Sequence, residues 1–365
     1  MVMASADDKA ATLAPTALAP MGRGWLGSDL VDHEERWHVP VPPDVVEELT
    51  AMAVEARRRG ERPNLSVPRP AGLPRTKAFA AEVSDRLSRG LGLVVLTGFP
   101  VDAAESIDVE LAYWTLGLLL GRPVSQSANG DLLGRVEDRG SDIASPVQRG
   151  YESSAALPFH VDRTDLIGLL CVRPARSGGL SRVASSVAVH DLLLAESPDL
   201  TAALYEPFPN DRRGEEQPGE PPWCDIPVFS QVGTSFACRY VRRFIEGSQR
   251  HDAAPRLTER QRAAMDALDA VLERPGVSLD MQLQPGDLQL VNNFHILHAR
   301  TAFTDQDGGR SRLLLRLWLA FAESPELPVH YRPLYGATTA GSHRGGVWPT
   351  AAVPGTIGRR VDDLG

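Results

Sequence analysis

The sequence predicts a mainly β fold, a sandwich or barrel with helices packed on its outside. Short apolar, strand-like runs are scattered between residues 91 and 321, whereas helix-like segments gather in the N-terminal part and around residues 258–273. A doubly wound α/β protein would alternate strands with helices, and the sequence has neither that alternation nor an internal repeat. Apolar residues make up 42% of the 365-residue chain, enough to bury a sizeable core.

The N-terminal elements are predicted from their end signals. Residues 1–22 are expected to form a flexible tail. Residues 43–60 are amphipathic, with proline near the start and glycine at the end, which predicts a helix. Further helices are predicted over residues 76–87 and 104–120. Between these two, residues 91–96 form a short, fully apolar run of the kind found in strands buried on both faces.

The later elements follow from the same patterns. Two polar, Gly-rich stretches, residues 125–158 and 209–222, lack any period and are predicted to be loops that act as lids. Short helices are expected over residues 188–205, and a longer amphipathic helix over residues 258–273. Strands are predicted at residues 166–172, 182–187, 277–283, 287–291 and 313–321.

The charge of the chain argues against two classes of partner. The net charge is −9, so no basic face is left over for nucleic acid or an anionic membrane. No apolar run is long enough to span a bilayer, and the N-terminus lacks a secretory pattern. Three scattered cysteines give neither a disulfide framework nor a zinc site. We therefore expect a cytoplasmic protein that acts on a small molecule, with its oligomeric state left open.

A His-x-Asp pair is the first indication of chemistry. In an extended segment, alternate residues project from one face, so His160 and Asp162 can point at a common centre. His298, on an extension of the strand predicted at residues 287–291, offers a third ligand, and His295 is the competing candidate. Two histidines and one carboxylate on one side of a metal are typical of non-haem Fe(II) oxygenases. On its own, however, the His-x-Asp pair is also compatible with a purely structural role.

An arginine downstream strengthens this interpretation. Arg312 lies fourteen residues after His298 and opens a strongly apolar run, so its side chain must either be paired or reach solvent. A guanidinium binds carboxylates through two parallel hydrogen bonds, which suits the distal carboxylate of 2-oxoglutarate.

Five segments together resemble the TauD/TfdA family, that is, the taurine dioxygenase and clavaminate-synthase-like proteins. They occur in the family's order across roughly residues 90–325. The segments are Leu157–Asp162, Ser177–Ser181, Pro285–Asp287, Asn292–Phe303 and Arg310–Trp318.

The resemblance implies a double-stranded β-helix, a cupin-like jelly-roll, and an oxygenase that uses Fe(II), 2-oxoglutarate and O2. It implies that His160, Asp162 and His298 bind iron and act in catalysis. It further implies that Arg312 and Ser181 hold the 2-oxoglutarate C5 carboxylate.

The resemblance also implies that Arg316 lies near 2-oxoglutarate or an anionic substrate. Polar residues of the two predicted lids, Gln126, Asn129 and Arg212, are candidate substrate contacts.

On this basis the chain is expected to form a single catalytic domain over residues 23–365. The helical N-terminal part should span about 40–90, and the jelly-roll core about 90–325. Within that core a helical insert is expected at about 188–275, followed by a C-terminal extension at 326–365.

The function that follows is hydroxylation of an unactivated C–H bond in an amino acid or natural-product intermediate, releasing succinate and CO2. Desaturation or ring formation is the alternative outcome of the same chemistry. Two other classes compete: a cupin-like protein that binds a ligand without turnover, and a zinc hydrolase, which would not need the anchoring Arg312.

Overall fold

The architecture is taken from a computed structural model that describes residues 18–64, 71–102, 106–138, 140, 153–305 and 311–348. Most of the predicted N-terminal tail, residues 1–17, lies outside the described residues, as do parts of the first predicted lid and of the C-terminal extension. Eight α-helices occur in the described part: α1 Pro43–Arg58, α2 Pro74–Arg89, α3 Ser106–Leu120, α4 Ser186–Glu196, α5 Pro198–Ala203, α6 Arg242–Gly247, α7 Glu259–Leu272 and α8 Arg332–Tyr335.

The described part also contains seventeen strands, several of them only two to four residues long. They are β1 His38–Pro40, β2 Leu93–Thr97, β3 Arg122–Pro123, β4 Leu133–Val136, β5 Leu157–His160, β6 Leu166–Arg173, β7 Ser177–Gly178, β8 Ser181–Ser185, β9 Phe208–Asp211, β10 Trp223–Ile226, β11 Phe229–Val232, β12 Ser235–Cys238, β13 Leu279–Met281, β14 Leu288–Asn292, β15 Ile296–Arg300, β16 Phe303–Thr304 and β17 Leu313–Ala320.

Two sheets form the centre of the molecule. The larger sheet runs β1-β2-β14-β6-β17-β3, with β4 also paired to β17, and the smaller runs β13-β8-β15-β5. Apart from the parallel pair β1–β2, the pairings within both sheets are antiparallel. Antiparallel strands facing each other across a core are the arrangement of a jelly-roll, so the predicted fold class is confirmed.

The side chains of the strands divide between two cores according to the period of two. On β2, Leu93 and Val95 join a cluster between the sheets that also contains Val183 and Ile296 of the smaller sheet. The intervening residues of β2, together with Leu315 of β17, pack instead against α1, α2 and α3 on the outer face of the larger sheet. The prediction that this apolar run is buried on both faces is therefore confirmed.

The helices begin and end where local chemistry requires. Helix α7 starts after Thr258, whose hydroxyl accepts a hydrogen bond from the backbone N–H of Gln261, while the Gln261 side chain accepts one from the Thr258 N–H. Helices α4, α5 and α7 pack on the outer face of the smaller sheet. No helix within the described ranges is long and apolar enough to cross a membrane.

Three sequence expectations differ from the structure. The stretch at 125–158, expected to lack regular structure, contains β4, and the helical insert at 188–275 also contains strands β9 to β12. These strands have four residues each, too few to display a clear period. The chain also turns after β14, so that His298 lies on β15 in the smaller sheet rather than on an extension of β14.

Candidate metal centre

Three potential metal ligands converge at one edge of the smaller sheet. Strands β5 and β15 are antiparallel neighbours, and His298 lies directly opposite His160 in their register. Asp162 follows two residues after the end of β5. The ligand atoms of these three side chains all lie within 4.8 Å of one another. Nε2 of His160 is 4.0 Å from Oδ1 of Asp162, and Nε2 of His298 is 3.6 Å from Oδ2.

The surroundings of His160 favour a neutral imidazole that can act as a ligand. Nδ1 of His160 lies 2.8 Å from the carbonyl oxygen of Pro158, which favours the tautomer that donates this hydrogen bond and leaves the Nε2 lone pair facing Asp162. Burial, helped by the neighbouring His298, lowers the pKa of His160 to about 4. Nδ1 of His298 is buried and has no hydrogen-bond partner among the described residues.

The Asp162 carboxylate is held ionised by its surroundings. Burial would raise its pKa, but the interaction with His298 and the positive charge of Arg316 outweigh that effect and hold the pKa well below the usual range. The indole N–H of Trp318 donates a 3.1 Å hydrogen bond to Oδ2. Asn293 fixes the backbone on both sides: its side-chain oxygen accepts from the Asp162 N–H, and its amide donates to the Asp162 carbonyl.

This donor set fits ferrous iron. Two neutral imidazoles and one ionised carboxylate are the ligands that non-haem Fe(II) oxygenases use, leaving further coordination positions for substrates. The hydrogen bond that His160 donates to the Pro158 carbonyl and the one that Trp318 donates to Asp162 supply the outer interactions that orient such ligands. We infer no other ligand from the described residues.

A second feature of the site is a pair of buried arginines around Phe303. The guanidinium carbons of Arg300 and Arg312 lie 4.8 and 5.1 Å from the centre of its ring. Burial, together with the charge of Arg312, lowers the pKa of Arg300 to about 10, and burial also lowers the pKa of Arg312. Nη1 of Arg312 is buried without a described hydrogen-bond partner. Such a cationic site is suited to an anionic ligand.

The absence of a side chain at Gly179 leaves space for the Arg312 guanidinium. Gly179 has φ +68°, a backbone conformation that residues with side chains rarely adopt. A Cβ at that position would also lie 3.2 Å from Nε of Arg312. Two residues later, the buried hydroxyl of Ser181 donates to the side-chain oxygen of Gln289. Because a hydroxyl has one proton to donate, Ser181 would have to release Gln289 to donate to a carboxylate.

The structure brings Arg316 to the predicted iron ligands and gives it an unexpected partner. Its Nη1 lies 3.9 Å from Oδ2 of Asp162, and its Nε donates a 2.6 Å hydrogen bond to the side chain of Gln126. The Gln126 amide in turn donates to the Arg316 carbonyl. Gln126, predicted to contact substrate, therefore contacts Arg316 directly.

The other two predicted substrate contacts differ in their positions. Arg212 is buried and lines a cavity of about 460 Å³ that is also lined by His160, Asp162 and Trp318. Its guanidinium pairs with Glu220. Asn129 is not one of the described residues that line this cavity.

The competing candidate His295 and a second histidine, His190, both have structural partners. Nε2 of His295 lies 3.2 Å from the carbonyl oxygen of Phe236. His190, on α4, is fully buried, with Nδ1 2.9 Å from Asp191 and Nε2 3.1 Å from the Tyr205 hydroxyl. Neither belongs to the group of three ligand atoms described above.

Sequence reasoning missed Trp318, Gln289 and Arg239 as parts of the site. For Trp318 a signal was present, because positions 316 and 318 have the same parity on β17 and must share a face. Gln289 is a buried polar residue in an apolar strand, and Arg239 follows a strand too short to be recognised.

Comparisons with known proteins agree with this geometry. The family model described as "Taurine catabolism dioxygenase TauD, TfdA family" matches residues 56–318. FR-33289 synthase of Streptomyces rubellomurinus (strain ATCC 31215) is 33% identical over 261 residues, covering 70% of this chain and 77% of that protein.

Two solved structures share the fold. Asparagine oxygenase in complex with Fe(II), 2S,3S-3-hydroxyasparagine and succinate superimposes with a TM-score of 0.61 at 21% identity, covering 80% of this chain and 97% of that one. The non-haem iron oxygenase OrfP, in complex with Fe and alpha-ketoglutaric acid, gives a TM-score of 0.58 at 16% identity, covering 77% and 93% of the two chains.

Proposed function

The chain belongs to the TauD/TfdA family of dioxygenases, and from this premise we propose that it hydroxylates an unactivated C–H bond of an amino acid or a natural-product intermediate. As a family member it is a 2-oxoglutarate-dependent dioxygenase, with Fe(II) as cofactor and 2-oxoglutarate and O2 as co-substrates. The observation that carries the proposal is the meeting of His160, Asp162 and His298 within 4.8 Å, beside a cavity large enough for such a substrate.

In this proposal His160, Asp162 and His298 hold the iron. When bound, ferrous iron supplies the activation of O2 that couples oxidation of 2-oxoglutarate, to succinate and CO2, to oxidation of the substrate. The protein supplies orientation: Trp318 and Asn293 keep the Asp162 carboxylate and its backbone in place. Neutral imidazoles are required for this role, and the buried setting of His160 favours one.

Arg312 is proposed to bind the distal carboxylate of 2-oxoglutarate. Its support is a buried guanidinium with an unpartnered Nη1, next to a second buried cation at Arg300. Two charge-assisted hydrogen bonds to a carboxylate would compensate the Arg312 guanidinium for the loss of its hydrating water on burial. Ser181 is proposed to assist after its hydroxyl turns away from Gln289.

The substrate class is supported by the relatives and by the cavity. The asparagine oxygenase structure contains 2S,3S-3-hydroxyasparagine, and an OrfP structure contains (3S)-hydroxy-L-Arg, both of them small, polar amino acids. A cavity of about 460 Å³ suits a molecule of that size. We propose Arg212 as a cavity-lining contact, Gln126 as a residue that acts through Arg316, and Asn129 as a contact that would require the lid to move.

The proposal is tested by incubating the protein with Fe(II), 2-oxoglutarate and O2 and a panel of amino acids and pathway intermediates. A true substrate should stimulate succinate release, and with ¹⁸O2 the labelled atoms should appear in succinate and in the product. Gain of one oxygen atom by the product indicates hydroxylation, whereas loss of two hydrogens indicates desaturation or ring closure. If the His298→Ala variant releases succinate as fast as the unchanged protein, the proposed site is wrong.

A further inference from the structure

Arg239 is a buried cation on the wall of the substrate cavity. It follows β12, and its backbone N–H donates a 2.7 Å hydrogen bond to the carbonyl of Val228, which fixes the start of its side chain. The residue is only 2% exposed, yet it lines the same cavity as His160 and Asp162. A charged side chain that is removed from bulk water but open to a cavity is suited to contact whatever fills that cavity.

The guanidinium of Arg239 has one described hydrogen bond, from Nη1 to the carbonyl of Val161 at 2.9 Å. Its Nε is buried without a partner, and the group forms no ion pair with any residue that the structure describes. Other arginines of the cavity wall have carboxylates: Arg212 pairs with Glu220, and Arg242 pairs with Asp269. Buried charges in proteins are normally paired, so Arg239 lacks the counter-charge that its burial calls for.

The cavity as a whole carries an excess of positive charge. Among the described residues, seven arginines and five carboxylates line it, and one of those carboxylates is the proposed iron ligand Asp162. A low-dielectric cavity lined in this way attracts anions and strengthens their hydrogen bonds.

We propose that Arg239 binds an acidic group of the substrate, and that the substrate is therefore an organic oxyanion, a carboxylate or a phosphoryl compound. This inference rests on the proposed function, because it names the substrate class of that cavity. The guanidinium suits the task, since its fork of N–H donors matches two oxygens of either group. Val161 lies between two proposed iron ligands, so an anion on Arg239 is held beside the segment that carries them.

A purely structural role for Arg239 would explain less. A hydrogen bond to the Val161 carbonyl could be made by any neutral donor. This role alone would leave the Nε of Arg239 without a hydrogen-bond partner and its positive charge without a counter-charge. The two roles also predict different results for substitutions. A structural role makes metal affinity sensitive to Arg239 and anion affinity insensitive to it, whereas the proposed role makes anion affinity the sensitive quantity.

The test uses the full chain, freed of metal with a chelator, and calorimetric titration with inorganic phosphate and, in a separate arm, with acetate. Arg239→Met should weaken the preferred anion by about tenfold or more, and Arg239→Lys by less, because it keeps the charge. The matched control is Arg274→Met, which removes an exposed arginine paired with Glu196 away from the cavity. It should leave both affinities unchanged, and anions bound near Arg312 contribute equally to all these proteins.

Tighter binding of phosphate than of acetate would indicate a phosphoryl substrate, and the reverse order would indicate a carboxylate. Equal anion affinities in the unchanged protein and Arg239→Met would overturn the inference, as would the absence of binding in both arms. Should Arg239→Met fail to fold, crystals of the unchanged protein soaked in phosphate or acetate decide the matter: density must lie within hydrogen-bond distance of Arg239, and density elsewhere alone contradicts the inference. Because no step depends on succinate release, failure of the proposed oxygenase activity would be seen separately.

Discussion

The indole N–H of Trp318, on β17, donates a 3.1 Å hydrogen bond to Oδ2 of Asp162, the carboxylate that lies between His160 and His298. This contact joins β17 of the larger sheet to the proposed metal-binding residues at the edge of the smaller sheet. It leaves Oδ1 as the oxygen nearer His160 and restrains rotation of the carboxylate.

We expect Trp318→Phe to lower Fe(II) affinity roughly 10- to 100-fold, the usual effect of removing a hydrogen bond to a metal ligand. Phenylalanine keeps the aromatic surface next to Arg316 but has no donor. Anaerobic metal titration measures the change. Trp25→Phe is the control, since it removes an indole hydrogen bond to the Leu91 carbonyl away from the proposed ligands. Equal losses in the two variants would contradict a specific role for Trp318.

Replacing Arg312 by methionine should raise the concentration of 2-oxoglutarate needed for half-maximal succinate release by roughly 30- to 150-fold. That range corresponds to about 2–3 kcal/mol for hydrogen bonds to a charged group. Fe(II) affinity in the absence of 2-oxoglutarate should change little. The exposed Arg86, which pairs with Glu82 on α2, provides a control through Arg86→Met. An unchanged 2-oxoglutarate requirement in Arg312→Met would remove the arginine from its assigned role.

The buried His190 should make stability depend on pH. Burial lowers its pKa below the ordinary value of about 6.5, so below that pH the unfolded chain binds more protons than the folded one. Above pH 6.5 His190 is neutral in both states, and its burial costs no stability. As the pH is lowered from there towards the folded-state pKa of His190, the free energy of unfolding falls.

Urea unfolding of the metal-free protein between pH 5 and 8 should therefore show a shallower pH dependence for His190→Gln than for the unchanged protein. Other buried histidines contribute alike to both proteins. His33→Gln, which replaces an exposed histidine, should keep the original slope. Identical slopes in all three proteins would show that His190 is not held neutral by burial.

The sequence was most informative where side chains repeat with a period. The long strands β6 and β17 and the helices α1 and α7 were predicted to within a few residues, because their apolar positions recur over eight or more residues. The four-residue strand β4 was missed, since its partner across the sheet, not its own pattern, makes it a strand.

The site was predictable in part for a similar reason. His160 and Asp162 are two residues apart, and motif order pointed to His298. Contacts between distant segments leave no local trace: Trp318 meets Asp162 across 156 positions, and Arg239 meets Val161 across 78. The strand that carries His298 also could not be assigned to the smaller sheet, because a three-residue turn moves the chain from one sheet to the other.

Anaerobic titration of the purified protein, first with Fe(II) and then with 2-oxoglutarate, tests most directly whether two imidazoles, a carboxylate and an arginine form one working site. The account predicts one equivalent of tightly bound Fe(II). It also predicts a visible charge-transfer band that appears with 2-oxoglutarate, disappears in His298→Ala, and needs far more 2-oxoglutarate in Arg312→Met. A protein that binds no Fe(II), or whose band is unaffected by the loss of His298, would contradict it.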